Sequence, residues 1–63
     1  MFKMEIKTGG AAFRNPHTGE EDQFSEALEL TSIMNDVAMA MQNGQTSGVI
    51  IDTNGNKVGS WSR

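Results

Sequence analysis

Apolar and polar residues change their period along this chain, and the changes divide it into elements. From Phe2 to Lys7 they alternate strictly, with Phe2, Met4 and Ile6 on one side and Lys3, Glu5 and Lys7 on the other. Alternation of this kind marks a strand with one face on a core and the other in water. From Glu20 to Asn43 the apolar positions follow a helical period, and no other stretch is long enough for a substantial helix. Val49-Ile50-Ile51-Asp52 and Lys57-Val58-Gly59-Ser60-Trp61 read as strands around Asn54-Gly55, a strong short-hairpin signal. The expected layout is strand 2–7, loop 8–19, helix 20–43 and hairpin 48–62, in one domain over 1–63.

The ends of the helix carry their own signals. Thr18-Gly19-Glu20-Glu21 matches a capping box, in which a hydroxyl and a carboxylate satisfy orphan backbone donors. Glu20, Glu21 and Asp22 would then sit at the positive end of the helix dipole, so this acidic trio reads as a cap rather than as catalytic carboxylates. Asn43-Gly44 ends the helix. Between these ends, Ala27, Leu30, Met34, Val37 and Met41 form one band, with Ile33 and Ala38 on its shoulders. That band is expected to lie on a sheet. Phe24, Leu28 and Met39 form a second, narrower band, and only Ser25, Glu29, Ser32, Asp36 and Asn43 make a polar face. One small sheet cannot cover so wide an apolar surface. The rest must meet Phe13, a second chain or a different protein.

The order strand, helix, strand, strand gives a small two-layer α+β fold, β-α-β-β, with one helix on a three-stranded, mainly antiparallel sheet. With the first strand antiparallel to the last, the sheet order is 2-3-1; a parallel crossover beside the second strand is the alternative. The hairpin has two competing registers. A two-residue turn pairs Ile51 with Val58 and Asp52 with Lys57, whereas a three-residue loop with a glycine bulge pairs Ile50 with Val58. A slip of one residue exchanges the buried and exposed faces, so the pattern leaves Ile50 and Ile51 open, with Ile50 inward preferred. Phe13 is expected to fold back as a plug on the core edge. Trp61 reads as a lid on the core, with an exposed anchor as the alternative.

Composition removes several kinds of chemistry. A chain of 63 residues buries only about 60% of its unfolded surface, so it has little stability to spare. It has no cysteine and a single histidine, His17, which excludes disulfides, cysteine catalysis and a multi-histidine metal site within one chain. His17 beside Glu20, Glu21 and Asp22 is a weak metal signal, better read as an exposed loop residue. Asp52, Asn54 and Asn56 alternate like the start of a calcium loop, but Gly55 comes too early and Arg63 stands where a glutamate is needed. Gly9-Gly10 reads as a turn, since it lacks the rest of a phosphate-loop pattern. No cofactor is expected. The net charge is −3, and Lys3, Lys7, Arg14, Lys57 and Arg63 are scattered, without the basic stripe of a nucleic-acid binder. No apolar run approaches the roughly 18 residues of a membrane span, and no signal-peptide pattern is visible. The expected location is the cytoplasm.

The tail carries a resemblance. Thr46-Ser47-Gly48, Asp52-Thr53-Asn54-Gly55-Asn56, then Val58-Gly59 and Trp61 resemble the hairpin of short phage and prophage proteins that also carry a first strand and one helix. The family is largely uncharacterised; the resemblance implies the fold and a phage origin and transfers no catalytic residue. Small phage proteins often bind and block host proteins, including bacterial defence effectors of the CRISPR type. The expectation is therefore a non-enzymatic inhibitor that binds a host protein or complex in the bacterial cytoplasm. A homodimer is expected as extra support for so short a chain. Phe24, Leu28, Met39 and Trp61 are the candidate partner-binding residues. The alternative is a dimeric nucleic-acid-binding or regulatory module using Lys3, Lys7 and Lys57. A small enzyme is disfavoured, because no nucleophile or base stands beside an orienting partner in the pattern.

Overall fold

The computed structural model describes residues 1–63 and runs β1 (Lys3–Ile6), a 3-10 turn (Ala11–Phe13), α1 (Gln23–Gln42), β2 (Ser47–Ile51) and β3 (Lys57–Ser62). The strands form one antiparallel sheet in the order β1-β3-β2, and α1 packs on one of its faces. This is the α+β fold and strand order read from the sequence. Cross-strand neighbours share a face, so Met4, Trp61 and Gly48 form one row and Ile6, Gly59 and Ile50 the next. Ile50 and Trp61 in these rows are buried against the helix layer, and Met4 and Ile6 pack at the margin. The other face carries Lys3, Glu5, Ser47, Val49, Ser60 and Ser62, all exposed.

Two glycines in the inner rows are set by close approach. A Cβ at Gly59 would collide with the Glu5 carbonyl oxygen of β1. One at Gly48 would lie 2.8 Å from the Trp61 indole nitrogen, so the indole rests on the strand where a side chain would stand.

The hairpin follows neither expected register along its whole length. The Asp52 N–H donates to the Asn56 carbonyl at 2.9 Å, and the Gly55 N–H donates to the Asp52 carbonyl at 3.0 Å. These bonds close a three-residue loop in which Gly55, at φ 85°, takes the left-handed position. Ile51 then pairs with Lys57, as that loop requires, but Ile50 pairs with Gly59 instead of Val58. Val58 is the extra residue of a bulge in β3, which shifts the register between Ile50 and Ile51. Ile50 points inward.

The helix starts at Gln23, later than Glu20, because the residues of the expected capping box are engaged in a tight turn. Asn15 Oδ1 accepts the His17 N–H at 2.8 Å and the Thr18 N–H at 3.3 Å. Gly19, at φ 73°, reverses the chain, and the Asn15 N–H donates to the Glu20 carbonyl at 2.9 Å. Arg14 and Glu21 pair just outside that turn. Of the acidic trio only Asp22 caps the helix, accepting the Phe24 N–H at 3.2 Å and the Ser25 hydroxyl at 3.0 Å. At the other end the Gln45 N–H donates to the Ala40 carbonyl and the Gly44 N–H to Met41, the paired bonds of a Schellman motif.

The core consists of Phe13, Ile33, Val37, Ile50 and Trp61, with Leu30, Ala40 and Met41 packed around it. A helix of 20 residues is about 30 Å long. A strand of six residues is about 20 Å. The N-terminal turns of α1 are therefore longer than the sheet can cover, and Phe13, 2% exposed on its 3-10 turn, packs beneath them. The mismatch shows in the shape. The molecule measures 39 × 20 × 15 Å, with a radius of gyration of 12.2 Å, against about 10.6 Å for a typical chain of this length.

Candidate interaction face

The rotation of α1 is set by three contacts on its inward side. Ile33 and Val37 lie in the core, and Phe13 fills the space under the first turns. The third contact is polar. Glu29 accepts the Thr53 N–H at 3.2 Å and the Thr53 hydroxyl at 2.5 Å, tying the middle of the helix to the hairpin tip. Both bonds go to a carboxylate, which makes them stronger than neutral ones. Thr53 is held in turn by Asp52, whose buried Oδ1 accepts the N–H groups of Asn54 and Asn56 at 2.9 Å each.

This rotation differs from the expected one by part of a turn. The inward stripe runs through Glu26, Glu29, Leu30, Ile33, Val37, Ala40 and Met41. Met34 was expected in the sheet-facing band, yet it is 54% exposed. Ile33, expected on a shoulder, is at the centre. Turning the Glu29 side toward the hairpin moves Met34 and Ala27 outward.

Three of the four candidate partner-binding residues stand in the open. Phe24 is 70% exposed, Leu28 59% and Met39 61%. The fourth does not. Trp61 is 4% exposed, because it sits in the row between Met4 and Gly48 under α1, with the Phe2 ring centroid 6.5 Å away. It is the lid on the core and not an exposed anchor: its indole is packed inside and borders the outside only along the groove beside β2.

The outward side of α1 is unusual in charge. At about 100° per residue it comprises Phe24, Ala27, Leu28, Thr31, Ser32, Met34, Asn35, Ala38, Met39 and Gln42. None of these is charged. The charged residues of the helix, Glu26, Glu29 and Asp36, fall on the inward half or its flank. A helix that shows its outer face only to water normally carries its charges there.

The remaining chemistry is dispersed. His17 lies exposed in the Asn15–Glu20 turn, and no group of three His, Cys, Asp or Glu side chains is placed to hold a metal ion. Arg14 is engaged with backbone, donating to the carbonyls of Gly9 at 3.2 Å and Gly19 at 3.3 Å. Lys3 and Glu5 share the open face of the sheet, and Lys7 follows them. No helix is long and apolar enough to cross a membrane.

The helix charge pattern was open to sequence reading, since the second band is visible in it. The clasp of Glu29 on Thr53 was not, because its partners are 24 residues apart and neither belongs to a motif. No protein-family model, curated protein or solved structure matches the chain.

Proposed function

We propose that this chain is a small, non-enzymatic protein-binding protein that docks its partner on the outward face of α1. The observation that carries the reading is the charge-free outer half of the helix with Phe24, Leu28, Met34 and Met39 all more than half exposed. Apolar surface of this kind gains free energy when removed from water. The unbranched, polarisable methionines adapt to a partner's contour. The resemblance of the tail to short phage proteins supplies the class of partner: a host protein, such as a bacterial defence effector of the CRISPR type, held in an inhibited state.

The test is capture from bacterial lysate by the wild-type chain and, in parallel, by Phe24→Glu and Leu28→Glu. A stoichiometric protein held by the wild type and lost by both variants supports the reading. Equal capture by all three, or none by the wild type at high concentration, rejects it. The second reading, a dimeric nucleic-acid-binding or regulatory module, rests on Lys3 and Lys7 flanking Glu5 along the open sheet face. Phosphate contacts are strongest at low salt, so an unshifted DNA or RNA probe at about 50 mM salt removes it.

A further inference from the structure

The sheet has two free edges, and they are protected differently. Along β1 the open face carries Lys3, Glu5 and then Lys7, charges that discourage an arriving strand. β2 reads Ser47-Gly48-Val49-Ile50-Ile51, without a charge or a proline, and the bulge of the hairpin is on β3. No charged residue occurs anywhere from Val37 to Ile51. Val49 is 59% exposed and Ile51 47%. The usual devices that keep an edge strand single are missing.

The hydrogen bonds fix which groups this edge presents. The Arg63 N–H donates to the Thr46 carbonyl and the Asp52 N–H to the Asn56 carbonyl, each at 2.9 Å. Backbone groups alternate along an antiparallel ladder, so Gly48 and Ile50 turn theirs to β3 and Ser47, Val49 and Ile51 turn theirs outward. Beside this edge runs an open, mostly apolar groove of about 450 Å³, lined by Ile33, Val37, Ala40, Ile50 and Trp61 and by one charged residue, Asp36.

We propose that β2 pairs antiparallel with β2 of a second copy, about a twofold axis through Val49. This register sets Val49 against Val49, and Ser47 against Ile51, with two backbone hydrogen bonds for each of these outward pairs. On the core face it sets Gly48 against Ile50. The strand is small at one end and large at the other, so self-pairing puts small against large on both faces. A copy of the chain is thus the occupant its own sequence fits. The axis stands perpendicular to the sheet, so both helices remain on one face and the two grooves close toward each other.

Area leaves room for an interface of this kind. The chain exposes 4610 Å², against about 4,000 Å² expected for a folded monomer of its mass. The surplus, roughly 600 Å², approaches the roughly 800 Å² that each partner buries in a standard interface.

The experiment combines mass in solution by light scattering with amide hydrogen exchange. The wild type is expected at twice the 6.9 kDa chain mass, with the amides of Ser47, Val49 and Ile51 protected. Val49→Pro removes one outward N–H, and Val49→Lys adds a charge on the open face; both are expected at monomer mass. Circular dichroism and a cooperative urea transition, retained in both, separate dissociation from unfolding. Phe24→Glu on the outer helix face is expected to keep the doubled mass, so failure of this pairing and failure of the helix-face reading are told apart. A wild-type monomer at high micromolar concentration overturns the proposal. So does a dimer in which those three amides exchange freely, or one that both Val49 variants leave intact.

Discussion

The two faces of α1 invert the usual arrangement. The inward face holds Ile33 and Val37 but also the half-buried Glu26 and Glu29, while the outward face holds Phe24, Leu28, Met34 and Met39 and no charge. The inward acids are explained by what lies under them. Glu29 meets the Thr53 hydroxyl and N–H, and Glu26 stands where the helix passes beyond the sheet, above the loop that carries Thr8, Gly9 and Arg14. The outward apolar residues have no such explanation within the chain. A charge on a helix therefore reports a polar neighbour as readily as it reports water. An uncharged outer face is the more informative half.

The largest effect that would test this contrast is at Ile33. Ile33→Ala removes a side chain that is 2% exposed and leaves a cavity between Phe13 and the sheet. The expected loss is about 3 kcal/mol in a urea unfolding titration. Met39→Ala, at 61% exposure, is expected to change stability by less than about 0.5 kcal/mol in the same titration. Similar losses at the two positions would mean that both faces are core, and the comparison would collapse.

Next in size is the clasp that sets the rotation. Glu29→Ala removes both bonds to Thr53. Bonds to a charged group contribute about 1.5–3 kcal/mol when shielded, and this one is exposed, so the expected loss is about 1 kcal/mol. Faster exchange of the Thr53 amide should accompany it. Unaltered exchange would mean that packing alone orients the helix.

The capping residues come third, and they also mark how far the sequence could be read. Asp22→Ala is expected to cost about 1 kcal/mol, and Thr18→Ala much less, because the helix is capped by Asp22, four residues beyond Thr18. The turn won over the expected capping box because Asn15 accepts two backbone N–H groups, and Gly19 adopts a left-handed conformation that a helix interior does not use. Periodicity carried what depends on one element: the face of β1, the helix end at Gly44, and the exposure of Phe24, Leu28 and Met39. Sheet order also came through, because so few connections suit a chain this short. What periodicity missed depends on two elements at once. The bulge at Val58 comes with the close approach of β1 to Gly59, and the exposure of Met34 with the Glu29 clasp. The sequence reads Trp61 as a lid on the core, but it does not show that the bare backbone of Gly48 is its seat.

The smallest effect on stability should be the largest on association. Leu28 is 59% exposed, and its neighbours on the outward face, Phe24, Thr31 and Ser32, include no acid that a new carboxylate would repel at one helical turn. Leu28→Glu is therefore expected to shift the unfolding free energy by no more than about 0.5 kcal/mol. At an interface the same change buries an unpaired carboxylate, which costs several kcal/mol and removes binding that apolar contact alone supports. Unfolding by urea and capture of the partner read these two consequences separately. A variant that loses its partner and keeps its fold places Leu28 in the interface, whereas loss of both makes the outer face part of the core. If both are kept, the partner binds elsewhere, and the uncharged outer face of α1 is only exposed surface.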